Sequence, residues 1–246
     1  MEERGTLTMD TKMERLFRQV ELVQGKGDRN RGELCLMSVV ALLAGEAHTD
    51  APATASPVIR QFAITINDAI PGHLHQRLKV FAPLIIGTND GRDLARANLL
   101  VGAAWAELLP RICTDLRNNS VGMMRGLYAA LKRKKLTALV ELQQRIAILT
   151  LETFNVRDAR ACTNLGLAVA QLICFCGRAA STHAEREWYW LRAIELLDCL
   201  CNVSIEGACS KPLGRWMKPM SASVDLGRAH GNSEIAGLDH SPELIV

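Results

Sequence analysis

Apolar residues recur at helical spacing through residues 33–44, where Leu34, Met37 and Val40 fall on one face of a predicted helix. Neighbouring leucines and valines extend the apolar surface almost all round, which is typical of a helix buried in a core. Gly45 follows the last periodic residue, and glycine readily adopts the left-handed conformation that ends many helices. The pattern therefore predicts a buried helix that ends at Gly45.

A second helix is predicted after a short polar loop. Its start is marked by Ser56, whose side chain can cap the helix, and by Pro57, which fits a first helical turn. Apolar residues then recur until a Pro-Gly pair ends the pattern: Val58, Phe62, Ile66 and Ile70, followed by Pro71 and Gly72. A third apolar segment covers residues 71–82 and is expected to stop at Pro83.

Helical periodicity continues through most of the remaining chain. The predicted helices cover residues 88–109, 110–116, 123–135, 136–154, 158–177 and 183–201. A short turn joins the last two, which should form an antiparallel pair. The whole pattern predicts an all-α fold, a single multi-helix domain of about eight helices over residues 33–201.

Both ends of the chain have a different character. Residues 1–32 are predicted to form a short amphipathic helix at positions 11–23 and a charged, glycine-rich linker at positions 25–32. Residues 202–246 mix glycine, proline and serine with isolated apolar residues and show no long periodic segment. We therefore expect a loosely ordered, flexible C-terminal tail after the helical domain.

Composition and charge fit an ordinary globular protein. Of the 246 residues, 48% are hydrophobic and 22% are charged, which excludes wholesale disorder. The formal net charge of +3 is small for this length, so nucleic-acid binding through the overall electrostatic field is not expected. An aromatic content of 4% disfavours a sheet-rich fold.

Cysteine usage and the N-terminal sequence favour a cytoplasmic protein. The N-terminus shows no secretory signal pattern, and the longest apolar run, residues 165–177, is shorter than the about 18 residues of a membrane span. The eight cysteines are therefore expected to be reduced residues of the core, not a disulfide framework. No membrane association is predicted.

Several short motifs occur together in a known family. They are Cys35 with Met37, Ala44-Gly45-Glu46, Thr49-Asp50, Ala55-Ser56-Pro57-Val58, Asn67-Asp68, Pro83-Leu84 with Gly87-Thr88, and Trp188, Leu191 and Ile194 in a closing helix. In this combination the chain resembles an uncharacterised family of bacterial helical proteins, known mainly from actinobacteria and their phages. The resemblance covers residues 33–200 and is strongest before residue 90, with Thr54 standing where the family has a cysteine. It implies no activity, because no function is known for the family.

A polar loop after the first helix contains the best candidates for ligand or partner contacts. Glu46, His48 and Asp50 lie within five positions, and Asn67 and Asp68 follow in the second helix. Zinc usually takes several His or Cys ligands and calcium loops use a longer oxygen-rich spacing, so neither metal pattern is met. The alternatives are a solvated, helix-capping loop and a polar pocket that contacts a ligand or partner.

Cysteines at two places in the sequence could carry chemistry. Cys35 lies in a first helical turn, a position that can activate a thiol, but His48 lies roughly 15 Å away at the far end of that helix. The C-x-C pairs at 174/176 and 199/201 resemble metal motifs, yet helical positions two apart point about 200° from each other. The sequence therefore predicts no catalytic residue, no metal site and no cofactor.

Two other clusters bear on binding. Arg125 and residues 132–135 form the densest basic cluster, which lacks an aromatic stacking platform and a helix-turn-helix context. Trp188, Tyr189 and Trp190 point in different directions from the last helix. At least two of these rings are expected in the core, and the third could meet another chain.

The sequence thus favours a non-enzymatic helical interaction or regulatory protein, whose surface binds another protein or its own copy. This interpretation combines ample apolar helix surface with missing catalytic spacing. The first alternative is an enzyme or small-ligand-binding protein that uses the 46–50 loop. The second is weak nucleic-acid binding through the basic helix end at residues 132–135, which is the least favoured of the three.

Overall fold

The computed structural model describes residues 19–118, 127–156 and 158–203, with side chains over 19–116, 133–155 and 158–203. Within this part of the chain, seven helices contain eight residues or more. The predicted all-α fold is confirmed. Most of the predicted N-terminal helix and the predicted tail from residue 204 onward lie outside the described residues.

The helices follow one another in a simple order around one central member. They are α1 (Leu36–Leu43), α2 (Pro57–Asn67), α3 (Gly72–His75), α4 (Ala82–Ile85), α5 (Asp93–Ala103), α6 (Leu109–Asn118), α7 (Leu127–Val156), α8 (Ala159–Ala179) and α9 (His183–Cys201). A 3-10 helix, Gln76–Phe81, joins α3 to α4, and a π-helical turn, Ala104–Leu108, joins α5 to α6. α8 is the central helix, because it packs against α2, α5, α7 and α9.

Local signals set the C-terminal end of α1 and the start of α2 as predicted, whereas α2 ends at Asn67, before the predicted stop at Pro71. Gly45 has a φ of 75°, which is the left-handed conformation expected after α1. The Ser56 hydroxyl accepts the backbone N–H of Ile59 at 3.4 Å, so it caps α2. α1 begins later than predicted, because Cys35 is its N-cap: the Cys35 sulfur accepts the N–H of Ser38 at 3.3 Å.

A small sheet replaces the predicted N-terminal linker. β1 (Glu21–Leu22), β2 (Gly27–Asp28) and β3 (Glu33–Leu34) lie in the order β1-β3-β2, with β1 parallel and β2 antiparallel to β3. Gly27 has a φ of 77° and faces the backbone of Glu33 so closely that no Cβ would fit. The predicted helix does not extend to residue 23, and the predicted charged, glycine-rich linker at 25–32 contains β2 and a 3-10 helix, Arg29–Arg31, because such short elements leave no periodic pattern to read.

Two prolines lie within helical segments where the sequence pattern predicted a helix to end. Pro83 lies in the first turn of α4, so it starts a helix where a stop was predicted. Pro110 lies inside α6, within a helical stretch that runs without interruption from α5. A proline lacks a donor and clashes with the carbonyl four residues earlier, and the wider π turn just before Pro110 accommodates both effects.

α7 is one continuous helix of 30 residues where the sequence pattern predicted two. Residues 132–135 therefore lie near its N-terminal end, and the predicted basic helix end is wrong. Cations at this position lie far from the C-terminus of α7, so they do not complement the dipole of that helix.

Close helix packing around α8 depends on two glycines. A Cβ at Gly166 would lie 2.6 Å from the carbonyl oxygen of Val58 in α2. A Cβ at Gly177 would lie 2.6 Å from the Trp190 ring in α9. These contacts place α2 and α9 directly against the backbone of α8.

The aromatic cluster of α9 lies mostly in the core, as predicted. Tyr189 and Trp190 are buried, whereas Trp188 is half-buried. The Arg111 guanidinium carbon lies 4.0 Å from the centroid of the Trp188 ring, and the same guanidinium donates to Glu185. Trp188 is thus partly covered by a side chain of α6.

Candidate functional site

The Glu46 carboxylate closes the loop between α1 and α2. One of its oxygens accepts the backbone N–H of Ala53 at 2.8 Å, and the other accepts that of Thr54 at 3.1 Å. Both donors are backbone groups of the same loop, so the carboxylate supports the loop in the way that capping side chains do. This placement fits the helix-capping interpretation of the loop.

The same loop is tied to the segment that precedes α5. The Thr54 hydroxyl accepts the N–H of Gly87 at 2.8 Å, and the Thr54 carbonyl accepts the N–H of Asn89 at 3.0 Å. The Asn89 side chain donates to the carbonyl of Ala53 at 2.9 Å. Thr54 therefore contributes both a side-chain acceptor and a backbone acceptor to this link.

His48 and Asp50 occupy the outer part of this loop. Asp50 is exposed and the His48 ring is half-buried. Nε2 of His48 is buried and has no hydrogen-bond partner among the described residues. In that same part of the chain, Glu46, His48 and Asp50 form no hydrogen bonds with one another.

Asn67 and Asp68 anchor the N-terminal sheet at the opposite end of α2. The Asn67 amide donates to the carbonyl of Val23 at 2.9 Å, and its oxygen accepts the N–H of Leu36 at 3.3 Å. The Asp68 carboxylate accepts the N–H of Gly25 at 2.8 Å. These bonds satisfy backbone groups that such short strands would otherwise leave unpaired.

The five predicted site residues therefore fall into two separate groups. Glu46 bonds to the loop just before α2, whereas Asn67 is the last of the 11 residues of α2. A helix of that length spans about 16 Å. The structure thus brings Asn67 and Asp68 together and separates them from Glu46 by the length of a helix, so the two groups do not converge on one pocket.

His75 completes the network around Asn67. Its Nε2 lies 3.1 Å from the Asn67 side-chain oxygen, and the ring is buried. Burial lowers the pKa of His75 below its ordinary value, although the charges of Asp68 and Glu21 act to raise it. The His75 ring is therefore expected to be neutral where it joins α3 to α2.

We expect the chain to lose stability as the pH falls from about 7 to about 5, and His75→Gln to remove part of that loss. Histidine in the unfolded chain has a pKa of about 6.5, and the pKa of folded His75 is lower, so acid protonates the unfolded chain first. Urea midpoints at both pH values measure the effect. His183→Gln, at an exposed ring, is the control, and an equal pH dependence in both variants would contradict the prediction.

An open cleft of about 600 Å³ lies between α2, α7 and α8. Its lining includes the apolar residues Ile64, Leu167 and Phe175 and the charged residues Asp68, Lys135 and Arg178. The Lys135 ammonium donates to the carbonyl of Ala179 at 3.2 Å, at the C-terminal end of α8, where a cation complements the helix dipole. The cleft brings together Asp68 and one member of the basic run, which the sequence pattern treated as unrelated features.

The cysteines around α8 are poor candidates for nucleophiles. Burial raises the pKa of Cys174 to about 11, and its thiol donates to the carbonyl of Thr65 at 3.8 Å. Burial also raises the pKa of Cys176 and of Cys201. Thiols with such pKa values stay protonated near neutral pH, and the thiolate is the reactive form. No group of three or more potential metal-ligating side chains occurs in the described part of the chain.

α7 carries apolar side chains on two faces. The inner face, formed by Leu139, Ile146 and Leu149, is buried. A second set of apolar residues, which we call the outer face, is exposed: Leu136, Val140, Ile148, Leu151 and Phe154. The centres of the two faces lie roughly 140° apart around the helix axis.

The outer face runs along the length of α7 and is interrupted near its middle by the exposed Gln143 and Gln144. Leu136 and Phe154 are separated by 18 positions, which is five turns of an α-helix, so they lie in line along the axis. Val140 and Leu151 lie about 40–60° from that line, and Ile148 lies about 120° from it. Exposed apolar strips of this kind mark sites of protein–protein contact more often than isolated apolar residues do.

The outer face was not predicted, because helical periodicity was read only for the apolar residues that would be buried. A readable signal was present, since apolar residues also occur at positions 136, 140, 148, 151 and 154. A helix that is apolar on two opposite faces has a second surface to cover. The sequence alone did not indicate which of the two faces packs against α8.

Among the described helices, α8 is long and apolar enough to span a membrane by length and composition. Its most apolar stretch is 61% buried within the protein, and a core helix of a globular protein passes the same test. Its 21 residues extend beyond the continuous apolar run at 165–177 on both sides.

Comparisons with known proteins give no assignment for this arrangement. The chain matches no protein-family model, no curated protein and no solved structure. The family resemblance carried by the motifs of residues 33–90 therefore stays a prediction.

Proposed function

We propose that the protein is a non-enzymatic interaction protein that binds another polypeptide through the outer face of α7. The observation that carries this proposal is the exposure of five large apolar side chains along one strip of a single helix. Ile148 is 57% exposed and Leu151 is 62% exposed. Fully burying one such side chain contributes about 1.5–3 kcal/mol, so a partner that covers the strip gains a substantial free energy.

The polar candidate residues give less support to an enzyme. Glu46, Asn67 and Asp68 each bond to backbone groups of their own chain, which occupies the atoms that a substrate would need. The raised pKa of Cys174 also disfavours thiol chemistry beside the cleft. Ligand binding by the 46–50 loop stays a prediction and is not favoured by these contacts.

Nucleic-acid binding by the basic run is also less well supported. Lys135 donates to the carbonyl of Ala179, so one cation of the basic run is already bound within the chain. Among the side chains of this run that the structure describes, Arg133 and Lys134 are exposed, and these two cations supply only a small part of the phosphate neutralisation that such binding needs.

A photo-crosslinking amino acid at Leu151 tests the proposal. In native host cells, we expect several-fold more crosslinked protein product from this position than from Ala184, which is exposed on α9. Mass spectrometry of the product identifies the bound chain. Equal yields at the two positions would contradict binding through the outer face.

A polar variant of the same face provides the matched control for folding. Leu151→Gln combined with Phe154→Gln should abolish the crosslink made from Ile148. Its melting temperature should stay within about 3 °C of wild type, because exposed side chains contribute little to stability. A large loss of stability would instead show that these side chains are needed inside the fold.

A further inference from the structure

We infer that the polypeptide bound by the outer face is a second copy of the same chain, packed antiparallel through α7. This inference rests on the proposed function, because it names the partner of that same surface. It is drawn from the order of charged residues beside the outer face and from the spacing of the apolar residues within it.

Four exposed charged residues form one flank of α7 beside the outer face. They are Lys134, Glu141, Arg145 and Glu152. At about 100° per residue they lie within about 40° of one another around the helix axis, and about 100° from the centre of the outer face. This is the position from which charged side chains pair across a helix–helix contact. Along the chain, their signs alternate.

The alternating signs match each other when the second copy runs in the opposite direction. Residue 143 lies midway between Lys134 and Glu152, and also midway between Glu141 and Arg145. A two-fold axis at this position places Lys134 opposite Glu152 of the second copy, and Glu141 opposite Arg145. In a parallel pair, the two charged flanks would lie on opposite edges of the contact and would not meet.

Two pairs of apolar residues on this side of α7 are compatible with nearly the same register. The midpoint of Leu136 and Leu151 lies between residues 143 and 144, and so does the midpoint of Val140 and Ala147. The difference from the charged register is half a residue, or about 0.75 Å along the helix. Leu136 can therefore pack on Leu151, and Val140 on Ala147, while the charged pairs form.

One member of the charged flank already has a contact within its own chain. Arg145 donates to the side-chain oxygen of Gln171 in α8 at 3.2 Å. A guanidinium has five N–H donors, so Arg145 retains donors for a carboxylate of the second copy. The bond to Gln171 also restricts the motion of the guanidinium before pairing.

The size of the outer face sets the expected affinity. From Leu136 to Phe154 the strip is about 27 Å long, and a helix with side chains is about 10–12 Å wide. A strip of these dimensions covers about 300 Å² per copy, well below the about 800 Å² per partner of a standard interface. We therefore expect a weak dimer whose population depends on protein concentration.

Charge reversal tests the antiparallel register in the full chain. Lys134→Glu and Glu152→Lys each convert two attractive contacts of the dimer into repulsive ones, so each should raise the dimer dissociation constant about tenfold or more. An equimolar mixture of the two variants should regain wild-type affinity, because every reversed position then faces a reversed position. Sedimentation equilibrium measures the dissociation constants.

A mixture of Lys134→Glu with Arg145→Glu is the matched control. It contains the same number of reversed charges but leaves two like-charged contacts in the mixed dimer, so it should not regain affinity. Recovery in both mixtures, or in neither, would overturn the antiparallel register. Recovery in the first mixture alone supports it.

Two further outcomes separate this inference from the proposed function. If the wild-type chain stays monomeric at every concentration while Leu151 crosslinks to a different protein, the second copy is the wrong partner and the proposed function stands. If Leu151 crosslinks to nothing and the chain stays monomeric, both are wrong. A crosslinked product with twice the mass of the chain supports both.

Discussion

Replacement of Arg96 by methionine should lower the free energy of unfolding by about 2–4 kcal/mol, the largest effect that we expect from a single substitution. Arg96 is only 1% exposed. It donates to the two oxygens of Asp90 at 2.7 and 3.0 Å, and to the carbonyl of Leu200 at 3.1 Å. Methionine fills a similar volume but leaves both acceptors without these donors.

The size of this effect follows from what Arg96 joins. Asp90 precedes α5 and Leu200 lies at the end of α9, so one guanidinium connects the start of one helix to the end of another. Burial acts to raise the pKa of Asp90, but hydrogen bonds from Arg96 and Arg92 and their charges outweigh it, so this pKa lies below its ordinary value. The carboxylate is therefore held in its charged form, and it needs its cation.

Arg92→Met is the control for Arg96→Met. Arg92 lies 3.6 Å from the same carboxylate and donates to the carbonyl of Val203, but its side chain is 41% exposed. Solvent screens such a pair, so we expect a loss of about 1 kcal/mol or less. Urea denaturation of both variants at neutral pH measures the difference.

A double variant separates the ion pair from simple packing. Combining Arg96→Met with Asp90→Asn should recover part of the lost stability, because the carboxylate that loses its two-bond partner is then replaced by a neutral amide. Equal losses from Arg92→Met and Arg96→Met, or no recovery in the double variant, would contradict this account of the pair between Arg96 and Asp90.

The sequence predicted those elements whose causes are local. Gly45 and Ser56 end and start helices through their own backbone conformation and hydrogen bonds, so their roles can be read from neighbouring residues. α8 and α9 were predicted to within two residues at each end, because their apolar spacing is regular and a short turn separates them.

The elements that the sequence did not predict depend on distant contacts. Pro110 indicates the start of a new helix by local rules, and only the π turn before it explains why the helix runs through without interruption. Leu22 is in a strand because β1 pairs with β3, 12 positions away, and the Gln76 side chain bonds to the N–H and the carbonyl of Leu22 at 3.1 and 3.0 Å. Arg96 gave no signal at all, since one of its acceptors lies 104 positions away.

The candidate site likewise combines features that could be read from the sequence with features that depend on distant contacts. The exposure of Leu151 follows from which side of α7 faces α8, and both sides are apolar. The positions of Asn67 and Asp68 were noticed as a polar pair, but their bonds to Val23 and Gly25 depend on a sheet that has no periodic pattern. Residue types were therefore readable from the sequence, whereas their partners were not.

Gly166→Ala should have the second-largest effect, a loss of about 1–3 kcal/mol. In an ordinary helix interior, this change is expected to stabilise by about 0.5–1 kcal/mol, because alanine restricts the unfolded chain. At Gly166 the added Cβ would lie 2.6 Å from the backbone oxygen of Val58 and 3.3 Å from its side chain. A backbone oxygen cannot rotate away, so α2 and α8 must separate and every contact between them weakens.

Gly102→Ala is the matched control, since Gly102 also lies inside a helix, is exposed, and has nothing within 4 Å of the added Cβ. At Gly102 only the higher helix propensity of alanine acts, so we expect the free energy of unfolding to rise by up to about 1 kcal/mol. In a chain of this size, about 2–4 °C of melting temperature corresponds to each kcal/mol, so the two variants should melt on opposite sides of wild type. If both variants melt above wild type, α2 and α8 are not in backbone contact, and the close packing on which the position of α7 depends would be wrong.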